Sequence, residues 1–133
     1  MNKLFFILIT LDLLASCQSL TNSTEKPKIQ LEKDTLQLGL VSVGDSVSIR
    51  LTVKNIGGET LNITNIGYEC GCTKGKIEKN TLGVSETTSF EFTYKNEIDI
   101  DDIDKTIIFE TNAKEPFKLL KIIGHGASKI NRK

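Results

Sequence analysis

Tryptophan is absent from this chain, and His125 is the one histidine among its 133 residues. A single histidine removes most hydrolase constellations, which need an imidazole in register with a nucleophile. Without tryptophan, and with two tyrosines, the chain lacks stacking platforms for nucleobases or sugars. Charge of a dominant sign is missing too: 17 basic and 17 acidic residues cancel at neutral pH. No basic field exists to attract nucleic acid. Gly-rich phosphate loops, a nucleophile elbow and a Ser/His/Asp arrangement do not occur. Glu59, Glu69, Glu78, Glu86 and Glu91 fall in separate expected strands or turns, without evidence of a catalytic pair. These absences lead to the expectation that the protein is not an enzyme, holds no resident cofactor and binds no nucleic acid.

What is present begins at the N-terminus. Lys3 precedes the apolar run Leu4-Phe5-Phe6-Ile7-Leu8-Ile9, and Leu14-Ala15-Ser16-Cys17 follows. A basic tip, a short hydrophobic run and small residues before a cut make a secretory signal peptide, residues 1–16. The run is shorter than the about 20 apolar residues of a spanning helix. Leu-Ala-Ser-Cys also matches the bacterial lipobox, in which the cysteine thiol receives diacylglycerol and becomes the first residue after cleavage. Asp12 argues against this, because a carboxylate at the centre of a membrane helix costs about 2.5–3.5 kcal/mol. It lies near the end of the run, where the cost is smaller. Cys17 is therefore the expected lipidation site, its acyl chains (palmitate among them) holding the protein on a membrane. Residues 17–27 are polar and aperiodic, a flexible tether. The tether opens without an acidic cluster of the kind that directs some lipoproteins to the cell surface. The expected location is the periplasm-facing side of a Gram-negative envelope, at the outer membrane.

Residues 28–127 read as one domain and 128–133 as a short tail. From Ser46 to Lys54, Val47, Ile49, Leu51 and Val53 alternate with Ser48, Arg50, Thr52 and Lys54. That is the period-2 signature of a half-buried antiparallel strand. Asn55-Ile56-Gly57-Gly58 makes a turn. Leu61 to Tyr68 starts in phase at Leu61 and Ile63 and then slips to Ile66 and Tyr68, which signals a bulge or a crossing between sheets. Phe90, Phe92 and Tyr94 alternate with Glu91, Thr93 and Lys95. Thr106–Thr111 and Phe117–Ile123 are apolar on both sides over part of their length, and Lys28–Leu31 and Leu36–Leu40 open the domain. No stretch has a capped 3.6-residue apolar period. The expected fold is all-β, an immunoglobulin-like β-sandwich of about seven strands, with a small open barrel as the alternative.

Cys70-Gly71-Cys72-Thr73 supplies the chemically distinctive side chains of the domain. Residues i and i+2 of a strand share a face, with Cα atoms about 6.6 Å apart when extended, near the ~6.8 Å upper limit for a disulfide. Gly71 lets the chain pinch into a small, easily reduced ring. The same pair presents two thiolates to Cu or Zn, with other ligands still to be found. Packing at a sheet edge is the third alternative, since free cysteine buries well. His125, flanked by Gly124 and Gly126 just past the last expected strand, is a weak third metal ligand and otherwise an exposed turn residue.

Several of these segments together resemble a bacterial module catalogued as domain of unknown function 1573. The resemblance rests on Val53-Lys54-Asn55-Ile56-Gly57-Gly58, Leu61-Asn62-Ile63 and Cys70-Gly71-Cys72-Thr73, then the strands Thr88–Tyr94 and Leu119–Gly124. It covers about residues 30–126. In place of the module's Pro-Gly before its sixth strand, this chain has Leu82-Gly83. The module is similar to the hydin and ASPM group of immunoglobulin-like domains, and many of its members look like exported lipoproteins. The resemblance implies the architecture and no activity.

Two weaker patterns remain. Asp99, Asp101, Asp102 and Asp104 fail as a calcium loop because Asp104 replaces the required glycine at position six. A solvated hairpin loop is expected there, with its isoleucines partly docked. Asp34-Thr35-Leu36 and Asp45-Ser46-Val47 resemble a short O-glycosylation sequon. The leading functional expectation is a lipid-anchored module, non-catalytic, that binds a protein or envelope component. The alternative is a thiol-redox or copper-handling protein that works through Cys70 and Cys72.

Overall fold

Alternation sets the layout of this computed structural model, which describes residues 25–127. The signal peptide, Cys17, most of the tether and the tail lie outside the described residues. Strand β3 (Ser46–Asn55) buries Leu51, Val53 and Asn55 and leaves Arg50, Thr52 and Lys54 outside. It pairs antiparallel with β7 (Thr87–Lys95), which sets Leu51 opposite Phe90 and Val47 opposite Tyr94. With β1 (Ile29–Leu31) and β5 (Thr73–Ile77) at its edges, this four-stranded sheet runs β1-β3-β7-β5. The second sheet has five strands in the order β2-β9-β8-β4-β6. They are β2 (Thr35–Ser42), β4 (Leu61–Tyr68), β6 (Thr81–Leu82), β8 (Asp102–Thr111) and β9 (Phe117–Ala127). Strand β2 joins β9 in parallel, whereas β8 and β9 form an antiparallel hairpin.

The two inner faces meet over a core in which Phe90 stacks on Phe92 at 5.9 Å and meets Phe109 edge-on at 5.0 Å. The sandwich closes because each long strand offers one apolar row, and the paired rows exclude water from each other. The phase slip in β4 is a bulge: pairing with β8 shifts between Ile63 and Asn65. It turns Ile66 back onto the core, which the sequence pattern alone required.

Nine strands occur among the described residues where about seven were expected. The additions are β5, whose Lys74-Gly75-Lys76 hides any apolar rhythm, and the two-residue β6. The acidic stretch also differs. Asp102 and Asp104 belong to β8 and point outward, while Ile103 between them is 1% exposed. Likewise His125 lies within β9 and not in a turn after it. Gly124 and Gly126 flank it because other chain segments pass close there: a side chain on Gly124 would meet Gly39 and Leu38, and one on Gly126 would meet the Ile100 carbonyl.

The strands define two poles. At one, the chain enters at Glu25 beside the β3–β4, β6–β7 and β8–β9 connections. At the other lie the β2–β3 and β7–β8 connections, the cysteine segment and the exit at Ala127.

Candidate functional site: the cysteine crossover

The Cys-Gly-Cys-Thr segment is the crossover from one sheet to the other. Tyr68 ends β4 opposite Ile107 in the five-stranded sheet, and Thr73 starts β5 opposite Tyr94 in the four-stranded one. Between them Cys70 and Cys72 are joined in a disulfide with Cα atoms 5.1 Å apart. The Thr73 amide donates back to the Cys70 carbonyl at 3.3 Å, so the turn is tighter than an extended strand. Gly71 is exposed at its tip and both cysteines are half-buried.

Thr73 is the member of the motif whose role its spacing did not reveal. It is 3% exposed, and its Oγ1 lies 3.7 Å from Cys70 Sγ and 3.9 Å from Cys72 Sγ. One hydroxyl therefore touches both sulfurs and can donate to whichever becomes a thiolate. Cys72 packs against a small cluster of Val41, Tyr94 and Ile103, and its carbonyl accepts from Lys95 N at 2.8 Å. Burial raises the Tyr94 pKa above its ordinary value. Gly75 lets β5 come in close: a side chain there would strike the Phe90 ring and the Tyr68 hydroxyl. The Tyr68 pKa is also raised, mainly by burial and against a hydrogen bond with the Gly75 backbone.

His125 is not brought into this site. Its Nδ1 pairs with Asp102 Oδ1 at 3.0 Å on the exposed outer face of the five-stranded sheet. No group of three or more His, Cys, Asp or Glu side chains stands ready for a metal ion among the described residues. Asp99 and Asp101 sit on the exposed β7–β8 connection, separated from the outward row of β8.

At the opposite pole the Asn-x-Gly turn proves to be a clamp. Asn55 is fully buried, and its Nδ2 donates to the carbonyls of Glu59 at 2.7 Å, Leu82 at 3.1 Å and Gly83 at 3.1 Å. Its Oδ1 accepts from Gly57 N at 3.0 Å and from Lys28 N at 3.4 Å. Gly57 must be glycine because the backbone of residues 26–28 runs where its Cβ would stand. The clamp thus holds the root of the N-terminal segment against the sandwich.

A family profile described as HYDIN/CFA65/VesB-like, Ig-like domain matches residues 27–125. The chain belongs to this immunoglobulin-like family. Solved structures agree on the fold. A protein of unknown function from Porphyromonas gingivalis superposes with a TM-score of 0.68 at 13% identity, over 83% of this chain and 51% of that one. The PapD-like domain 7 of human CEP192 gives a TM-score of 0.59 at 10% identity, over 79% of this chain and 89% of that one. The secreted serine protease VesC of Vibrio cholerae gives 0.55 at 16% identity, over 76% of this chain and 23% of that one. The chain thus spans about half of the Porphyromonas protein and about a quarter of VesC. No curated protein sequence matches it. At these identities the likeness concerns the fold alone, and an Ig-like domain of this kind suits a non-catalytic binding role.

Proposed function

We propose that the chain is an exported, lipid-anchored Ig-like module of the bacterial envelope that binds a protein partner by strand addition along β2. Four strands end the sheets, with β6 covering only Leu61 and Asn62 of β4, and they differ in how they resist pairing. Strand β1 has three residues and β6 has two, too short to template a partner. Strand β5 carries Lys74 and Lys76 in five residues, the usual protection of an edge. Strand β2 has eight residues without a charge, and Leu40 on it is 71% exposed. That unguarded edge is the observation that carries the reading. A bulge between Gln37 and Leu40, at Gly39 with φ 71°, divides it, so the partner strand would pair with one half. The Cys-Gly-Cys-Thr run supports the narrower kinship with domain of unknown function 1573. The lipobox at Cys17 supports a periplasm-facing place at the outer membrane.

The test is photo-crosslinking in living cells from position 40 and, on the guarded edge, from position 76. A discrete adduct from position 40, weakened by Gln37→Lys and absent from position 76, is the expected result. Equal labelling from both edges, or none from position 40, would refute strand addition.

A second reading has its own observation, the Thr73 hydroxyl shared by two half-buried sulfurs. An incoming protein thiolate would attack one sulfur, form a mixed disulfide and release the other as a thiolate that Thr73 stabilises. A second thiolate of that dithiol partner would then resolve the mixed disulfide and leave Cys70 and Cys72 reduced. In the reverse direction, the thiolate left in Cys70→Ser or Cys72→Ser would attack the partner's disulfide form and stay joined to it, and trapping of that mixed disulfide, with folding intact, supports this. Fully oxidised cysteines that no dithiol reduces in the folded protein would rule it out.

A further inference from the structure

We infer that the outer face of the β8–β9 hairpin, around Phe117, docks on the surface of the lipid bilayer. The inference rests on the proposed acylation of Cys17 and says which side of the domain then meets the membrane.

Phe117 and Leu119 are two residues apart on β9 and so share the outer face of the five-stranded sheet; they are 60% and 53% exposed. Ile108 on β8 stands directly opposite Leu119 and is 36% exposed. Gly67 of β4, opposite Ile108 on its other side, adds no side chain to cover it. The three form one apolar patch that the sandwich leaves to solvent. Lys114 lies in the β8–β9 connection beside it, and such a side chain can lay its stem on apolar surface while the ammonium stays in the headgroup layer. Lys118, between Phe117 and Leu119, alternates to the other face and pairs with Asp34 at 2.9 Å.

Reach decides the occupant. Pro27 is buried and Lys28 is held by Asn55, so the domain's attachment point is fixed beside this hairpin, and residues 25–29 line one groove with Phe117 and Lys118. Between Cys17 and Glu25 the chain has residues 18–24, and eight residue steps span at most about 28 Å. The 11-residue β9 is about 36 Å long. Standing upright with the cysteine pole alone on the bilayer would therefore lift the root of the tether beyond reach. The hairpin pole can touch, and there the exposed apolar patch lies. On the far pole the large exposed apolar side chains are Leu40 and Ile98.

The absence of native tryptophan makes the test clean. The full-length lipoprotein bearing Phe117→Trp, and separately one bearing Ile98→Trp, is reconstituted into vesicles of phosphatidylethanolamine and phosphatidylglycerol that contain brominated lipid. Intact mass of the same samples reports acylation of Cys17. The expected result is blue-shifted emission quenched at least twofold for Phe117→Trp, and unshifted, unquenched emission for Ile98→Trp. Acylated protein with neither variant quenched, or both quenched alike, overturns the docking and leaves the anchor standing. A mass without acyl chains removes the anchor, and the inference falls with it. A Phe117→Trp emission already shifted in lipid-free protein, together with a dimeric mass, would assign the patch to a second copy and also overturn it.

Discussion

Each pole of the sandwich is closed by a buried asparagine, and the two are treated differently. Asn55, where the chain enters, uses both ends of its amide on five backbone groups. Asn96, at the cysteine pole, is equally buried and donates from Nδ2 to the Val41 carbonyl at 2.9 Å. Its Oδ1 has no hydrogen-bond partner among the described residues. A buried amide that is fully paired rigidifies its surroundings, whereas one left half-paired carries a desolvation penalty. The entry pole is thus a tight clamp, and the cysteine pole is the softer end. That division suits a module held to a membrane at one end and working with a partner or a thiol at the other.

Removing the clamp is the strongest way to break this contrast. Asn55→Ala leaves three carbonyls and two amides without their side-chain partner, and unfolding in urea should show a loss of about 3 kcal/mol. Gly57→Ala should cost about 1–3 kcal/mol, because the backbone of residues 26–28 must move to admit a methyl group. At the other pole the same truncation should be mild. Asn96→Ala removes one hydrogen bond together with one unpaired acceptor, and a loss of about 1 kcal/mol or less is expected. A cost for Asn96→Ala equal to that for Asn55→Ala would erase the distinction.

The disulfide should matter little for stability. A ring closed over two residue steps restricts the unfolded chain by about 1–2 kcal/mol in the entropy account. Reduction should therefore leave the domain folded, with a modest shift of the urea midpoint. Unfolding on reduction would make the crossover structural and end the thiol-exchange reading.

The smallest effect concerns acid. Glu86 pairs with Lys79 and accepts from Gly83 N at 2.7 Å, and these contacts lower its pKa below the ordinary value. A lowered folded pKa stabilises the fold above the unfolded value, and the contribution disappears as pH falls through the folded one. Glu86→Gln should therefore flatten the acid limb of the stability profile slightly. An unchanged acid limb would show that the exposed pair contributes nothing at the entry pole.

How far these features were legible depended on what the sequence pattern had to compete with. Strands β3 and β7 stand out because one face is buried and the other is wet, so alternation survives in Leu51, Val53, Phe90 and Phe92. The slip in β4 was legible for the same reason. Strand β5 was not, since an edge strand carries lysines for protection and a glycine for close packing, and both erase the rhythm. In β8 the outward Asp102 and Asp104 masked Ile103, which sits in the core between them. Glycines beside His125 looked like a turn, although they serve the close passage of neighbouring chain. At the candidate site the cysteines were evident from residue type. Thr73 was not, because a threonine next to a motif gains meaning only when the turn folds its hydroxyl onto both sulfurs. The apolar patch had a visible trace: a strand apolar on both sides within a two-sheet sandwich must expose one of them.

The central claim, an Ig-like module held to a membrane by its entry pole, is tested most directly by the intact mass of the protein extracted from the envelope. The account predicts a chain that starts at Cys17, carries diacylglycerol and an amide-linked acyl chain, and releases into detergent. A mass that retains residues 1–16, or one with an unmodified Cys17 in the soluble fraction, would contradict it.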